Sequence, residues 1–232
     1  MSLRFRQVLH SAHSAAIETL FPPRCAGCGR RGVWVCGQCL AKTEILQEPL
    51  CPRCGDPPSV CSCSKLALSL DWVRSAAWYE GWLREAIISF KYEGEFARAR
   101  HLAEMLAPLS QNCTQDTEIV PVPLHPSREI RRGYNQAQKL SEELVSLTAL
   151  KLSPMLIQRV IPTSQQTRLS AIERAQNVKD AFAVRNSCAV VGKRLLLVDD
   201  VMTTGSTLGE CANVLKQQGA SWVGAVTIAR ER

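Results

Sequence analysis

No apolar run in the 232-residue sequence approaches the ~20 residues that a helix needs to span a bilayer. The basic first residues lead into Gln7, His10 and His13, which interrupt the apolar core that a signal peptide requires, and no clear cleavage site follows. The sequence also lacks a lysine after Gly205, which excludes a Walker A loop there, and it lacks a helix-turn-helix signature. We therefore expect a cytoplasmic protein without stable membrane insertion, and a regulator that reads DNA sequence is the weakest of the functions considered.

The composition suits a folded protein that binds anions. A hydrophobic fraction of 46% is enough for a packed core and excludes global disorder. The net charge of +7 favours an anionic ligand, either a phosphorylated sugar or nucleic acid, and does not separate the two. We predict three parts: an amphipathic helix at residues 1–22, a cysteine-rich module at 23–66 and a larger domain at 71–232.

Eight of the eleven cysteines lie between positions 25 and 63, in four closely spaced pairs. Two such pairs can hold one tetrahedral zinc ion, and a glycine directly after the second cysteine, as at Gly29 and Gly55, lets the chain turn tightly around the metal. The spacing therefore predicts two structural zinc ions. The first set of ligands is Cys25, Cys28, Cys36 and Cys39, and the second set is Cys51, Cys54, Cys61 and Cys63.

Other interpretations of the cysteines stay open. A cross-braced arrangement, in which alternate pairs share a metal ion, is the second possibility, and the sequence does not exclude it. Disulfides suit a secreted chain, and iron–sulfur clusters typically use other spacings. The zinc ions mainly hold the module together. Its surface can dock on the larger domain or contact nucleic acid, for which the candidates are Arg24, Arg30, Arg31, Arg53 and Trp34.

The most informative segment joins a strand to a helix near the C-terminus. An apolar run at 195–198 is followed by Asp199 and Asp200. Small or hydroxylated residues come next, namely Thr203, Thr204, Gly205, Ser206 and Thr207. Successive backbone N–H groups at such a turn, with the positive end of the helix dipole, form a site for phosphate, and the two carboxylates can accept hydrogen bonds from sugar hydroxyls. The combination predicts a ribose 5-phosphate site, which a single capping hydroxyl would not explain.

The larger domain alternates between strand and helix patterns. Strands are predicted at 73–79, 118–123, 155–158, 182–184, 195–198 and 222–228, and helices at 82–90, 95–106, 136–147 and 206–218. Residues 160–181 have no firm pattern. Alternation of this kind predicts an α/β fold with a parallel sheet flanked by helices, whose ligands bind at the carboxyl ends of the strands.

The segment 195–208 resembles the signature of the type I phosphoribosyltransferases, which bind 5-phosphoribosyl 1-diphosphate (PRPP) with Mg²⁺. The resemblance implies that Asp199 and Asp200 hold the ribose 2- and 3-hydroxyls and that residues 203–207 hold the 5-phosphate. It also implies that the loop after the first core strand meets the pyrophosphate. Arginine suits this role because its guanidinium group binds two oxygens at once, and the candidates are Arg128, Arg131, Arg132 and Arg168. The alternative is an exposed basic turn at 128–132.

Further motifs narrow the resemblance. After the cysteine-rich start come residues 90–94 (FKYEG), 120–124 (VPVPL), 132–137 (RGYNQA), 165–169 (QQTRL) and the 198–207 segment, in that order. In this combination the chain resembles the ComF family, including the enterobacterial-type GntX proteins. The resemblance implies a double zinc ribbon followed by a domain with the phosphoribosyltransferase fold. It also implies a link to natural competence and DNA uptake, with single-stranded DNA and competence or DNA-processing proteins as partners.

Two functions follow from these observations. In the first, the domain binds PRPP or a nucleotide as a sensor or scaffold, while the zinc module and the basic surfaces engage single-stranded DNA. In the second, it is an active phosphoribosyltransferase of nucleotide metabolism, which moves ribose 5-phosphate from PRPP to an unidentified acceptor. No residue in the sequence identifies itself as a base for such an acceptor, and we expect the first function.

Overall fold

The computed structural model describes residues 22–61, 63, 69–162 and 178–232. The helix predicted at residues 1–22, except for its last position, lies outside the described residues, as do Arg168 and most of the 160–181 segment. Within the described ranges, no helix has the length and apolar content that a bilayer crossing requires. The predicted domain limits at residues 66 and 71 stay a prediction.

The larger domain alternates between strands and helices along the described residues. The strands are β1 (Trp72–Trp78), β2 (Thr117–Pro121), β3 (Lys151–Leu152), β4 (Ile157–Arg159), β5 (Phe182–Val184), β6 (Arg194–Met202) and β7 (Trp222–Arg230). A one-turn helix, α1 (Gly37–Leu40), lies in the cysteine-rich module. The other helices are α2 (Gly81–Tyr92), α3 (Arg98–Ser110), α4 (Pro126–Arg132), α5 (Gln136–Leu147) and α6 (Ser206–Gln217).

Five of the strands form one parallel sheet, in the order β1, β7, β6, β2, β3. The central strand is β6, in which Leu197 lies opposite Ala225 of β7 on one side and opposite Val120 of β2 on the other. The remaining two strands, β4 and β5, pair with each other in antiparallel fashion. The predicted parallel α/β fold is confirmed, and the strand that carries the two acids lies at the centre of its sheet.

Two apolar layers cover the sheet, because successive residues of a strand point to opposite faces. On one face, Leu195 and Leu197 pack in a core with α6 and with strands β4 and β5. On the other face, Leu196 and Val198 pack in a core with α2, α3 and α5. All four side chains are fully buried, as is typical of a strand in the middle of a parallel sheet. Both cores therefore hold β6 in place.

The edge of the sheet beyond β2 differs from the prediction. β2 ends at Pro121, two residues before the predicted end at Pro123. Pro121 is tolerated because β3 pairs only with Glu118 and Ile119, so that among the described residues no strand on that side needs the N–H group that proline lacks. The sequence does not predict β3, because two residues show no periodicity.

The arginine-bearing segment forms the short helix α4, and the prediction of a loop there was wrong. Pro126 occupies the first turn of the helix, where the missing N–H group is not needed. His125 caps the helix, since its Nδ1 accepts a hydrogen bond from the backbone N–H of Ser127 at 3.3 Å. Pro126 and His125 therefore mark the start of a helix here, although both residue types also occur in turns.

The cysteine-rich module covers the outer edge of β1. Ile45 forms an antiparallel bridge with Ala77, and the backbone N–H of Leu46 donates to the carbonyl of Ala76 at 3.2 Å. The module thus uses hydrogen-bonding groups that an edge strand would otherwise expose. Of the two roles considered for the module's surface, docking on the larger domain is the one seen in the structure.

Candidate functional site

Asp199 and Asp200 lie near the end of β6. The strand continues past the predicted 195–198 run and ends at Met202. Because neighbours on a strand point to opposite faces, the two carboxylates leave the sheet on different sides. They stay coupled, since the Asp199 Oδ1 accepts a hydrogen bond from the Asp200 backbone N–H at 2.9 Å. Both acids lie at the carboxyl end of the sheet, where open parallel sheets bind their ligands.

A tight turn connects β6 to α6. Gly205 has a φ of 75°, a left-handed conformation that glycine adopts without steric cost, and α6 begins at the next residue, Ser206. The hydroxyls of Thr204 and Ser206 form a hydrogen bond at 2.8 Å. The first turn of a helix presents N–H groups without intrahelical partners and carries the positive end of the helix dipole. All five residues predicted to hold phosphate therefore lie at or beside one helix N-terminus: Thr203, Thr204, Gly205, Ser206 and Thr207.

Lys91, in the last turn of α2, contacts the acid pair. Its Nζ lies 2.7 Å from the Asp200 Oδ1. Burial alone would lower the pKa of Lys91, but the attraction of Asp200 and the hydrogen bond to it outweigh burial and raise this pKa. Lys91 was not among the residues predicted for the site. The available signal was its place in the 90–94 motif, directly after the buried Phe90.

Asp199 titrates near neutral pH. Burial and the negative charge of Asp200 raise the pKa of Asp199 to about 7, and the positive charge of Lys91 opposes this rise. A carboxyl group that is half protonated near neutral pH can bind a hydroxyl group either as donor or as acceptor. This property distinguishes Asp199 from an ordinary surface carboxylate.

The eight cysteines of the module form two clusters. In each cluster all four Sγ atoms lie within 4.8 Å of one another. One cluster consists of Cys25, Cys28, Cys36 and Cys39, and the other of Cys51, Cys54, Cys61 and Cys63. This grouping is sequential, as predicted, and not cross-braced. The arrangement fits the tetrahedral Cys₄ sites that hold structural zinc.

The backbone prepares a thiolate in each cluster. Burial raises the pKa of Cys25, but hydrogen bonds from the N–H groups of Cys36, Cys28 and Gly27 lower it to about 6. Hydrogen bonds from the N–H groups of Cys54 and Arg53 lower the pKa of Cys51 to about 6 against the effect of burial. Zinc binds the thiolate form of cysteine, so both clusters have the chemistry of a zinc site before the metal binds.

Both parts of the chain match known families. Residues 16–67 match the model of the double zinc ribbon domain, and residues 98–232 match that of the phosphoribosyl transferase domain. Competence protein F of Haemophilus influenzae is 33% identical over 215 residues, which make up 89% of this chain and 90% of that protein. The chain belongs to the ComF family.

Other proteins similar to this ComF-family chain also match over most of their length. DNA utilization protein YhgH of Escherichia coli (strain K12) is 34% identical over 204 residues, which cover 83% of this chain and 88% of that protein. Competence protein ComFC of Bacillus subtilis (strain 168) is 28% identical over 209 residues, which cover 84% of each protein. Among solved structures, a glutamine PRPP amidotransferase of B. subtilis gives a TM-score of 0.39 and 18% identity, covering 57% of this chain and 26% of that chain. The predicted family is confirmed, and the two cysteine clusters are structural zinc sites.

The three described arginine candidates of this ComF-family protein cluster on α4. Arg132 lies over the ring of Tyr92, with its Cζ 5.1 Å from the ring centroid. Burial and the positive charges of Arg131 and Arg132 lower the pKa of Arg128, which shows that the three guanidinium groups lie within electrostatic reach of one another. Arg131 is exposed, whereas Arg128 and Arg132 are half-buried. The fourth candidate, Arg168, lies outside the described residues.

Arg159, at the end of β4, adds a positive charge that the sequence interpretation did not include. Its Cζ lies 5.3 Å from the centroid of the Phe182 ring. Burial and the positive charge of Arg128 lower the pKa of Arg159, and the negative charge of Asp199 opposes this effect. Arg159 is therefore within electrostatic reach of both the arginine cluster and the acid pair. Only its position at the end of a short predicted strand could have indicated it.

Proposed function

We propose that this ComF-family protein binds PRPP at the carboxyl end of β6. The observation that carries the proposal is the succession of two acids and a glycine-initiated helix N-terminus on one central strand. Asp199 and Asp200 accept hydrogen bonds from the ribose hydroxyls. The N–H groups and hydroxyls of residues 203–207 hold the 5-phosphate.

The pyrophosphate of PRPP needs cations on the other side of the ribose. Arg128, Arg131 and Arg132 supply them from α4, and Arg159 adds a further charge toward Asp199. Guanidinium groups suit this role because each binds two phosphate oxygens at once. Arg168 stays a predicted member of this group.

Mg²⁺ is proposed to enter with PRPP. The Asp200 Oδ2 is buried and has no hydrogen-bond partner among the described residues, while the Oδ1 faces Lys91. A free carboxylate oxygen is a ligand that Mg²⁺ prefers. When bound, the ion neutralises charge on the pyrophosphate.

Calorimetry with PRPP and Mg²⁺ tests the proposal. The double variant Asp199→Asn/Asp200→Asn keeps the shape of both side chains and removes their charges, so we expect its affinity to fall by about a hundredfold or more. Glu142→Gln is the matched control, because Glu142 lies in an exposed ion pair with Lys139 on α5. Equal affinity in the wild type and the double variant would contradict the proposed site.

We propose further that the protein acts in the use of external DNA. Two of its relatives are named competence proteins and another a DNA utilization protein. The arginines of α4 with the exposed ring of Tyr92 make a basic and aromatic surface, which suits single-stranded DNA. Competence or DNA-processing proteins are the proposed partners, and the cytoplasm is the proposed location.

Binding of a single-stranded oligonucleotide at several salt concentrations tests this surface. If the three arginines contact phosphates, replacing Arg128, Arg131 and Arg132 by Gln lowers the slope of log affinity against log salt by about two to three. The corresponding change at Arg24, Arg30 and Arg31, in the zinc module, is the control and separates this surface from the module. Unchanged slopes in the α4 variant would exclude α4 as the contact.

An active phosphoribosyltransferase of nucleotide metabolism is the second candidate. Asp199 favours it, because a carboxyl group with a pKa of about 7 can transfer a proton at neutral pH. In this reaction the bond between ribose C1 and the pyrophosphate oxygen breaks, and C1 bonds to the acceptor. Pyrophosphate release from PRPP, measured with candidate nucleobases against the Asp199→Asn/Asp200→Asn variant, tests for turnover. Tight PRPP binding without release in any mixture would favour the binding function.

A further inference from the structure

Arg230, the last residue of β7, connects the second zinc site to the end of β6. The residue is 5% exposed, and its Nη1 donates a hydrogen bond to the Cys54 carbonyl at 2.8 Å. Its Nη2 lies 2.5 Å from the Asp56 Oδ1. The Nη1 also lies 3.5 Å from the Met202 Sδ. One guanidinium group therefore contacts both the second zinc ribbon and the residue that precedes the phosphate loop.

The phosphate loop is held at both ends by the core that includes this ribbon. Met202 precedes the loop and Leu208 follows it, and both side chains are buried in the core that also contains Cys54. The Met202 carbonyl accepts a hydrogen bond from the Glu231 backbone N–H at 2.9 Å, directly after Arg230. Because packed cores do not deform freely, a shift of the second ribbon is transmitted to residues 203–207.

The first zinc ribbon is attached by a similar contact on the opposite face of the sheet. Arg98 of α3 is also 5% exposed, and it donates hydrogen bonds to the carbonyls of Trp34 and Arg24, at 3.1 Å each. Ala26 of this ribbon packs against the core formed by α2, α3 and α5. Met202 and Leu208 belong to the other core. Each ribbon thus accepts hydrogen bonds from a buried arginine, and the second ribbon also accepts one from the half-buried Arg74, whose Nη1 donates to the Cys51 carbonyl at 3.1 Å. Of Arg98 and Arg230, it is Arg230 that contacts Met202, the residue before the phosphate loop.

We infer that Arg230 is a positioning residue for the phosphate loop and that the second zinc ribbon, unlike the first, supports the anion site through Arg230. The inference rests on the proposed binding of a 5-phosphate at residues 203–207. Zinc held by Cys51, Cys54, Cys61 and Cys63 would fix the Cys54 carbonyl and the neighbouring Asp56. These two groups orient Arg230, and Arg230 with Met202 fixes the start of the loop. The second ribbon thereby raises the affinity for a phosphorylated ribose without touching it.

The test compares the full-length zinc-loaded protein with Arg230→Gln and Arg230→Lys. Arg98→Gln and Arg98→Lys are matched controls, because Arg98 is equally buried and holds the other ribbon. Hydrogen–deuterium exchange of residues 203–208 is measured without ligand, and calorimetry measures the affinity for PRPP with Mg²⁺. Zinc content is determined for every variant. The Lys variants retain the charge, so they keep the comparison possible if a Gln variant fails to fold.

We expect the Arg230 variants to exchange faster at residues 203–208 and to bind PRPP about tenfold more weakly. The Arg98 variants leave both quantities unchanged. The inference is overturned if the Arg230 variants retain wild-type exchange and affinity, or if the Arg98 variants show the same changes. If the wild type binds no PRPP, the proposed function fails. The difference in exchange between the two sets of variants then still decides whether the ribbon positions the loop.

Discussion

Lys91 Nζ and Asp200 Oδ1 lie 2.7 Å apart, at the carboxyl end of the sheet. The preceding acid, Asp199, leaves the sheet on the other face but still lies within electrostatic reach of the same lysine. Burial and the negative charge of Asp200 raise the pKa of Asp199 toward neutrality, and the positive charge of Lys91 opposes this rise. A sugar hydroxyl or a metal ion that binds Asp200 has to displace Lys91 or share the carboxylate with it.

Replacement of Lys91 by Met should destabilise the protein. The substitution leaves Asp200, which is 3% exposed, as a buried charge without its cation. We expect the free energy of unfolding to fall by about 2–4 kcal/mol in urea denaturation. The exposed ion pair between Lys139 and Glu142 provides the control, since Lys139→Met should cost less than about 1 kcal/mol.

The double variant Lys91→Met/Asp200→Asn separates loss of the ion pair from loss of packing. We expect it to recover at least about half of the stability lost by Lys91→Met, because the unpaired charge is gone. No recovery would show that the aliphatic part of Lys91, and not its charge, stabilises this end of the sheet.

The binding of PRPP with Mg²⁺ should depend on the protonation of Asp199. If the ligand requires the ionised carboxylate, a pKa of about 7 predicts that affinity rises about tenfold between about pH 6 and pH 8. The phosphates of PRPP titrate in this pH range too, but their titration affects binding to the wild type and to the Asp199→Asn variant equally. The difference between the two pH profiles therefore isolates Asp199. Parallel profiles would contradict the assignment.

The same raised pKa predicts a pH dependence of stability. Asp199 binds its proton more tightly in the folded state, so the unliganded protein loses stability as pH rises from about 4 to about 7. Above the folded pKa the full cost is present. The Asp199→Asn substitution removes this cost of ionising Asp199, and its amide oxygen can still accept the hydrogen bond from the Asp200 backbone N–H. We expect this variant to be about 1–3 kcal/mol more stable than the wild type at about pH 8, and equal to it near pH 4. Thermal or urea unfolding at both pH values measures the difference.

Gly55, in the second ribbon, lies close to the backbone of β1. A Cβ atom at this position would lie 2.5 Å from the Val73 carbonyl oxygen, and φ is +71°. Gly29 occupies the equivalent place in the first ribbon, with φ of +73°, and no atom of the described residues lies within 4 Å of an added Cβ. Gly29→Ala should cost about 1–2 kcal/mol from backbone strain alone, and Gly55→Ala about 2–5 kcal/mol because a steric clash is added. Equal costs in denaturation of the zinc-loaded proteins would mean that the ribbon moves away from β1 without penalty.

Zinc content distinguishes the sequential clusters from a cross-braced arrangement. Cys28→Ser/Cys39→Ser removes two ligands from the first cluster, so we expect one zinc ion per chain to remain. Cys28→Ser/Cys54→Ser damages both clusters, so we expect both ions to be lost after mild chelation. A cross-braced arrangement predicts the reverse: loss of both ions in Cys28→Ser/Cys39→Ser and loss of one ion in Cys28→Ser/Cys54→Ser. Elemental analysis of the purified variants measures the outcome.

Local signals in the sequence predicted most of the fold. The predicted bounds of α5 agree with the structure because Asn135 caps the helix, with its Oδ1 accepting from the Ala137 N–H at 3.0 Å. The cysteine spacing and the β6–α6 turn are local features as well, and both occur where the sequence predicts them. The short helix α4 was missed because its proline and cap also suit a turn.

Contacts between distant residues could not be predicted in this way. Lys91 and Asp200 belong to different elements, and only the packing of α2 on the sheet brings them together. The same holds for Asp56 and Arg230. Isolated charged residues show no period and no spacing, so nothing in a single sequence indicates their partners.

The contact of residues 44–46 with β1 also determines whether this edge strand is exposed when the zinc module unfolds. β1 is a seven-residue strand with the sequence WVRSAAW, and its rim is covered only as long as the zinc module keeps its shape. β3, at the opposite edge of the sheet, has two residues and therefore few backbone groups with which another strand could pair. Loss of zinc is therefore expected to open β1 to pairing with a second copy of the chain.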